Sequence, residues 1–200
     1  MIGMGSRLVF SWSVLAGSLA LAVPAGLNAR FGLPEGYSWP LQTALTSPPR
    51  AEDAAAAERG APDILSAAVC HVGANRLLLK ISFVNPPQFR NSHFIVYLDL
   101  DNDRDTGRTD ASHRGVDVMV SVSGDTVHAG ARNPSYGATK VAGWVEGKDF
   151  WLAVEAPLKA VGQEVVFGLH LLAQRAGGAS DSASHAVVRV PVGREPKLTA

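Results

Sequence analysis

The chain has 200 residues, 46% hydrophobic and 18% charged, which is enough apolar content for one packed domain with a tail. Eighteen basic and eighteen acidic side chains give a formal net charge of zero. That balance excludes the basic surface needed for nucleic acid or for a polybasic membrane patch.

In chain order, the first 29 residues read as a secretory signal peptide. Arg7 supplies the positive start, residues 8–22 are uncharged and rich in Leu, Ala and Val, and small residues offer cleavage after Ala25 or Ala29. The alternative is a retained membrane anchor, for which the run is short and interrupted by Ser11, Ser13, Gly17 and Ser18. No Cys follows the run, which argues against a lipoprotein anchor. The chain is therefore expected to be exported, to the periplasm or outside the cell, and to meet a membrane only if this segment stays on. Residues 30–61 read as a flexible lead-in, broken by Pro34, Pro40, Pro48 and Pro49. Ala51–Arg59 offers one or two helical turns, and Tyr37-Ser38-Trp39 forms an aromatic cluster able to dock back onto the domain.

From residue 62 to 192 the periodicity is that of strands. Leu77, Leu79, Ile81 and Phe83 alternate with Arg76, Leu78, Lys80 and Ser82, as in a half-buried strand. Phe94–Leu98 is a continuous apolar run, as in a strand near the centre of a sheet. Val116, Val118, Val120 and Val122 alternate again. Residues 140–145 and 150–156 flank the turn Glu146-Gly147-Lys148-Asp149, which sets Val145 against Phe150 and Trp144 against Trp151. Residues 165–171 and 186–192 give the last strands, and residues 193–200 a frayed tail. Short strands with turns and no long helices predict an all-β fold, an antiparallel β-sandwich of immunoglobulin-like or jelly-roll-like form. Cys70, the only cysteine, cannot make an internal disulfide and reads as a buried, inert thiol in a strand. An exported domain without disulfides needs another source of stability, and a structural metal is one.

The candidate metal site follows the central strand. Asp99, Asp101, Asp103 and Asp105 occupy consecutive odd positions, Thr106-Gly107 closes the loop, and Asp117 returns at the head of the next strand. Crowded carboxylates repel, and Ca²⁺, which takes six to eight oxygen ligands, holds such a set together. The competing reading is a solvated acidic turn, since Asp and Asn favour turns on their own. An EF-hand fits poorly, because Arg104 falls where its sharp turn needs Gly. Zinc prefers His and Cys, and no His-Glu-x-x-His sequence is present.

The pattern Tyr-Leu-Asp-x-Asp-x-Asp-x-x-Thr-Gly from Tyr97, then Gly115-Val116-Asp117, resembles the family 9 carbohydrate-binding-module-like and DOMON-like β-sandwich domains of secreted bacterial proteins. Pro62-Asp63-Ile64, Leu77–Phe83 and Phe150–Pro157 match the flanks. The resemblance spans residues 62–192 and implies metal positions at Asp99, Asp101, Asp103, Thr106 and Asp117, while Asp105 departs from the neutral residue expected there. It also implies glycan binding in some members and haem binding in others.

For a glycan or cell-surface polysaccharide, the candidate platform is Trp144 paired with Trp151, with Tyr136, Glu155 and Arg132 as neighbours. The alternatives are that both Trp side chains are ordinary core, and that the metal is purely structural in an accessory domain. For a non-covalent haem, Met119, His71, His128, His170 and His185 are the available ligands, with no Cys-x-x-Cys-His sequence. Nucleophile-elbow, phosphate-loop and dinucleotide-binding sequences are lacking, and Glu146 and Glu155 make no convincing hydrolytic pair. The chain is not expected to be an enzyme.

Overall fold

The structure is a computed structural model that describes residues 26–30, 39–46, 62–73, 75–109, 114–175 and 180–193. The strands are β1 (Gln42–Thr46), β2 (Ile64–Val72), β3 (Arg76–Phe83), β4 (Ser92–Asp99), β5 (Arg108–Thr109), β6 (Arg114–Val116) and β7 (Val118–Ser123). There follow β8 (Thr126–Ala131), β9 (Lys140–Glu146), β10 (Asp149–Glu155), β11 (Ala160–Val161), β12 (Glu164–Arg175) and β13 (Ser180–Pro191). They form an antiparallel β-sandwich. One sheet has the order β1-β2-β3-β10-β9; the other runs β12-β4-β7-β8, with β11 and β13 also paired to β12, and β5-β6 is a separate ribbon.

The alternation read from the sequence faces the core as expected. Leu77, Leu79, Ile81 and Phe83 of one sheet meet Phe94, Val96, Leu98, Val118, Val120 and Val122 of the other, all at most 2% exposed. Phe83, Phe94 and Phe150 pack edge to face at 5.3–5.7 Å between centroids, a geometry worth about 1 kcal/mol per pair beyond area burial. The continuous Phe94–Leu98 run lies in β4, which has β12 on one side and β7 on the other. The hairpin register is also as read: Trp151 pairs with Trp144 and Phe150 with Val145, around a two-residue Gly147-Lys148 tip. Two hydrogen bonds tie β13 and the residues after it to β2. The Ile64 amide donates to Asp181 Oδ2 at 2.6 Å, and the Gly193 amide donates to His71 Nδ1 at 3.0 Å.

The lead-in reading of residues 30–61 is corrected where it can be tested. Gln42–Thr46 pairs with β2 as an edge strand, and Trp39 and Leu41 are buried. They cover an apolar patch on the outer face of the five-stranded sheet, made of Cys70, Val72, Leu78 and Trp151. Leu78, placed by alternation on a half-exposed face, is 1% exposed because of this cover. Trp39 is fixed further by its indole N–H, which donates to Asn28 Oδ1 at 2.7 Å. Burial under the same cover raises the Cys70 thiol to about 12, which keeps it in the protonated form. Most of the signal segment (residues 1–25), Tyr37-Ser38, Ala51–Arg59 and residues 194–200 lie outside the described residues.

Removing the cover should expose the patch. Trp39→Ala is expected to cost about 3 kcal/mol or more in urea unfolding. It should also speed Cys70 labelling by a thiol reagent under native conditions. An unchanged labelling rate would show that Trp39 does not close this face.

Candidate metal centre and ligand face

The register of β4 and β7 creates the acidic site. Leu98 pairs with Val118, so the next positions outward, Asp99 and Asp117, become neighbours at the same end of the sheet. Asp101 is carried round to them by a turn in which the Asp103 amide donates to Asp101 Oδ1 at 3.0 Å. Asn102 takes a positive φ of 54°, which Asn tolerates. Carboxylate oxygens of Asp99, Asp101 and Asp117 lie within 4.8 Å of one another.

Asp117 is completely buried. Its Oδ2 accepts from the Leu100 amide at 2.7 Å and the Asp101 amide at 3.2 Å, and its Oδ1 accepts from Asn133 Nδ2 at 2.8 Å. Thr106 donates its hydroxyl towards Asp101, with Oγ1 3.0 Å from Oδ2, and the same oxygen is 3.0 Å from the Asp103 carbonyl. Gly115, at φ +80°, closes over the trio; a Cβ there would lie 2.8 Å from Asp99 Oδ2 and 2.9 Å from the Arg104 Cα.

The electrostatics are unbalanced. Charges this close repel by about 3 kcal/mol per ionised pair before solvent screening. Among the described residues no Lys or Arg is ion-paired to any of the three. Burial, followed by the charges of Asp117 and Asp101, pushes Asp99 up to about 7. Burial also raises Asp117, against its bonds from Asn133 and Leu100. Three hard oxygen donors with no His or Cys among them suit a hard divalent cation and not zinc.

The six expected metal positions therefore separate. Asp99, Asp101 and Asp117 converge and Thr106 supports Asp101. The Asp103 carboxylate instead accepts the Asp105 amide at 3.0 Å in a second turn. Asp105 is 88% exposed and pairs with Arg114 at 3.6 Å, so it lies outside the trio. Two residues near the trio were not recognised. Asn133 caps the short turn Pro134–Tyr136 and bonds Asp117; the Asn-Pro-Ser sequence signals the turn but not its target. Tyr136, expected beside the tryptophans, is instead close enough to the acidic trio for Asp117, Asp101 and Asp99 to raise its hydroxyl, which burial above all lifts to about 12.

The tryptophan pair forms, with rings 6.4 Å apart and 6° from parallel. As an open two-ring platform it is corrected: Trp151 is 1% exposed under Trp39 and Leu41, with Lys80 over its ring, and only Trp144 remains half-buried. Beside Trp144 the register sets Ala142 opposite Ala153 and Lys140 opposite Glu155, with Arg76 beyond. These small and charged side chains bound a cavity of about 220 Å³. Lys140 and Glu155 are paired across it at 3.3 Å.

The haem candidates are spread over both sheets. His71 belongs to β2, where it holds Gly193; Met119 and His170 flank Tyr97 in the other sheet, and His128 is exposed on β8. The side chain of His185 lies outside the described residues. Among the described residues no helix is long and apolar enough to cross a membrane.

No protein-family model matches the chain, and no curated protein matches it. Among solved structures, the chain is similar to a carbohydrate binding module family 9 (CBM9) structure from Caldicellulosiruptor kristjanssonii in complex with cellotriose. The identity is 9% and the TM-score 0.41, over 70% of this chain and 85% of that one. No site residue is assigned from that likeness.

The trio makes a prediction with a definite sign. Without metal, the folded state keeps a proton on Asp99 up to about pH 7, whereas the unfolded chain releases it near 3.8. Stability in EDTA should therefore fall as pH rises through that window and level off above it. At pH 7.5, Asp99→Asn should melt higher than the unmutated chain in EDTA, because it removes the repulsion. Millimolar Ca²⁺ should reverse the order. A site with a dissociation constant of about 10 μM gains roughly 2.7 kcal/mol at about 1 mM, or about 5 °C or more, and Asp99→Asn should gain nothing. Gly115→Ala should also lose the response. An unmutated chain that ignores Ca²⁺ would reduce the aspartates to a polar turn.

Proposed function

We propose that this chain is an exported β-sandwich binding module, stabilised by Ca²⁺ at Asp99, Asp101 and Asp117, that binds carbohydrate without catalysing a reaction on it. Arg7 and the apolar residues 8–22 support export. The convergence of buried Asp117 with half-buried Asp99 and Asp101, ion-paired to no Lys or Arg among the described residues, supports the cation, which would supply positive charge to the loop and fix its ends.

The observation that carries the carbohydrate reading is the cleft beside Trp144. Ala142 and Ala153 form its small floor with Arg76, Lys140 and Glu155 around it, and Trp144, two residues along β9 from Ala142 on the same face, sets an aromatic ring next to it. A sugar ring needs both components: an apolar face to stack on and charged groups to bond its hydroxyls. The Lys140–Glu155 pair is exposed and weak, and sugar hydroxyls can replace its partners at little cost.

The burial of Trp151 favours a second reading, in which the domain is structural and its metal serves only the fold. A pull-down on insoluble polysaccharides, backed by a glycan array, separates the two. Glu155→Gln leaves the core untouched, whereas Trp144→Ala also removes a ring stacked on Trp151, so its melting temperature is measured alongside; each should weaken retention at least about tenfold, the loss of one stacking or charge-assisted contact. Retention unchanged in both variants would remove the cleft from the account.

A further inference from the structure

A cavity separate from the Trp144 cleft lies at the end of the six-stranded sheet where Arg132 follows β8. The register sets Gly130, Met119, Tyr97 and His170 in one row across β8, β7, β4 and β12. Tyr97 is 5% exposed and rests against His170, with ring centroids 5.6 Å apart. Arg132, the first residue after β8, places Nη2 3.4 Å from the Met119 sulfur. Arg132 and Arg108, both exposed, line a cavity of about 360 Å³.

Arg132 is anchored to the acidic loop through its backbone, its amide donating to the Asp117 carbonyl at 2.6 Å. Yet its guanidinium is ion-paired to no carboxylate among the described residues and lies on a neutral thioether. Arg108 enters the same cavity from the ribbon that follows Gly107. The guanidinium, exposed and in contact with the Met119 sulfur, is open to an outside anion, and its planar fork matches a carboxylate with two parallel bonds.

We propose that this cavity binds the carboxylate of an acidic saccharide, a uronate, with Arg132 as the principal contact and Arg108 as the second. The saccharide class rests on the carbohydrate reading above; the anion site rests on Arg132 and the cavity.

The test titrates the full chain, in millimolar Ca²⁺ and low salt, with methyl β-glucuronide, with methyl β-glucoside and with inorganic sulfate, followed by calorimetry. The two sugars differ only in the carboxylate. The expected result is glucuronide binding at least about tenfold tighter than glucoside, lowered at least about tenfold by Arg132→Gln. Arg189→Gln removes the same charge from an arginine already paired with Glu164 at 3.3 Å, and should leave binding unchanged. Equal binding of the two sugars, no effect of Arg132→Gln, or an equal effect of Arg189→Gln would overturn the proposal. Sulfate displacing glucuronide at equal concentration would overturn the saccharide assignment. Retention on neutral polysaccharide reports on the Trp144 cleft, so the two readings fail separately.

Discussion

The buried carboxylate of Asp117 is the constraint on which the loop end of this sandwich depends. It sits where β6 gives way to β7, enclosed, with each oxygen accepting a hydrogen bond from a different segment. Through Leu100 and Asp101 it fixes the turn after β4; through Asn133 it fixes the turn after β8. The bonds from Arg132 and Asn133 amides to its own carbonyl add to the second tie. Both of its oxygens act as acceptors, which an amide side chain could not match, and the charge of Asp117 is thereby brought against Asp99 and Asp101. The loop is held in shape by hydrogen bonds and strained by electrostatics, a conflict that the proposed cation would resolve.

The opposite conflict occurs on the outer face of the five-stranded sheet. Cys70, Leu78 and Trp151 form an apolar patch that a sandwich of two sheets cannot bury between its layers. The segment around Trp39 covers it as a small third layer, held at one point by Asn28. This cover takes Trp151 out of contact with any ligand, while the stacked Trp144 stays at its margin. The cleft lined by Arg76, Lys140 and Glu155 therefore lies next to a single half-buried aromatic ring, that of Trp144. The two outer faces of the sandwich then differ in kind: one has Trp144 beside an internally paired Lys140 and Glu155, and the other has Arg132 on the Met119 sulfur.

Much of the sandwich was legible in the sequence. Alternation marked the strands that face the core, and the length of the turn after Glu146 set the register of the tryptophan pair, because side chains in a strand repeat every second residue. The spacing of Asp99 and Asp117 relative to β4 and β7 placed both at one sheet end. What failed were the inferences that needed a neighbour from elsewhere in the chain. Leu78 looked half-exposed because alternation says nothing of a third layer. Gln42–Thr46 looked like linker because an edge strand with one pairing partner has a weak pattern. Tyr136 was assigned to the tryptophans by nearness in sequence, whereas the turn capped by Asn133 places it near the aspartates.

By itself, then, the sequence determined an all-β chain with one hairpin in known register and a run of carboxylates at the end of an apolar strand. Local periodicity and local turn chemistry are sufficient for that, since they act between residues close in the chain. Only the tertiary structure decided which carboxylates converge, which tryptophan remains accessible and that Arg132 rests on the Met119 sulfur, ion-paired to no carboxylate among the described residues. Burial and Coulomb interactions depend on distance in space, and the loops that set those distances are positioned by strands far away in sequence.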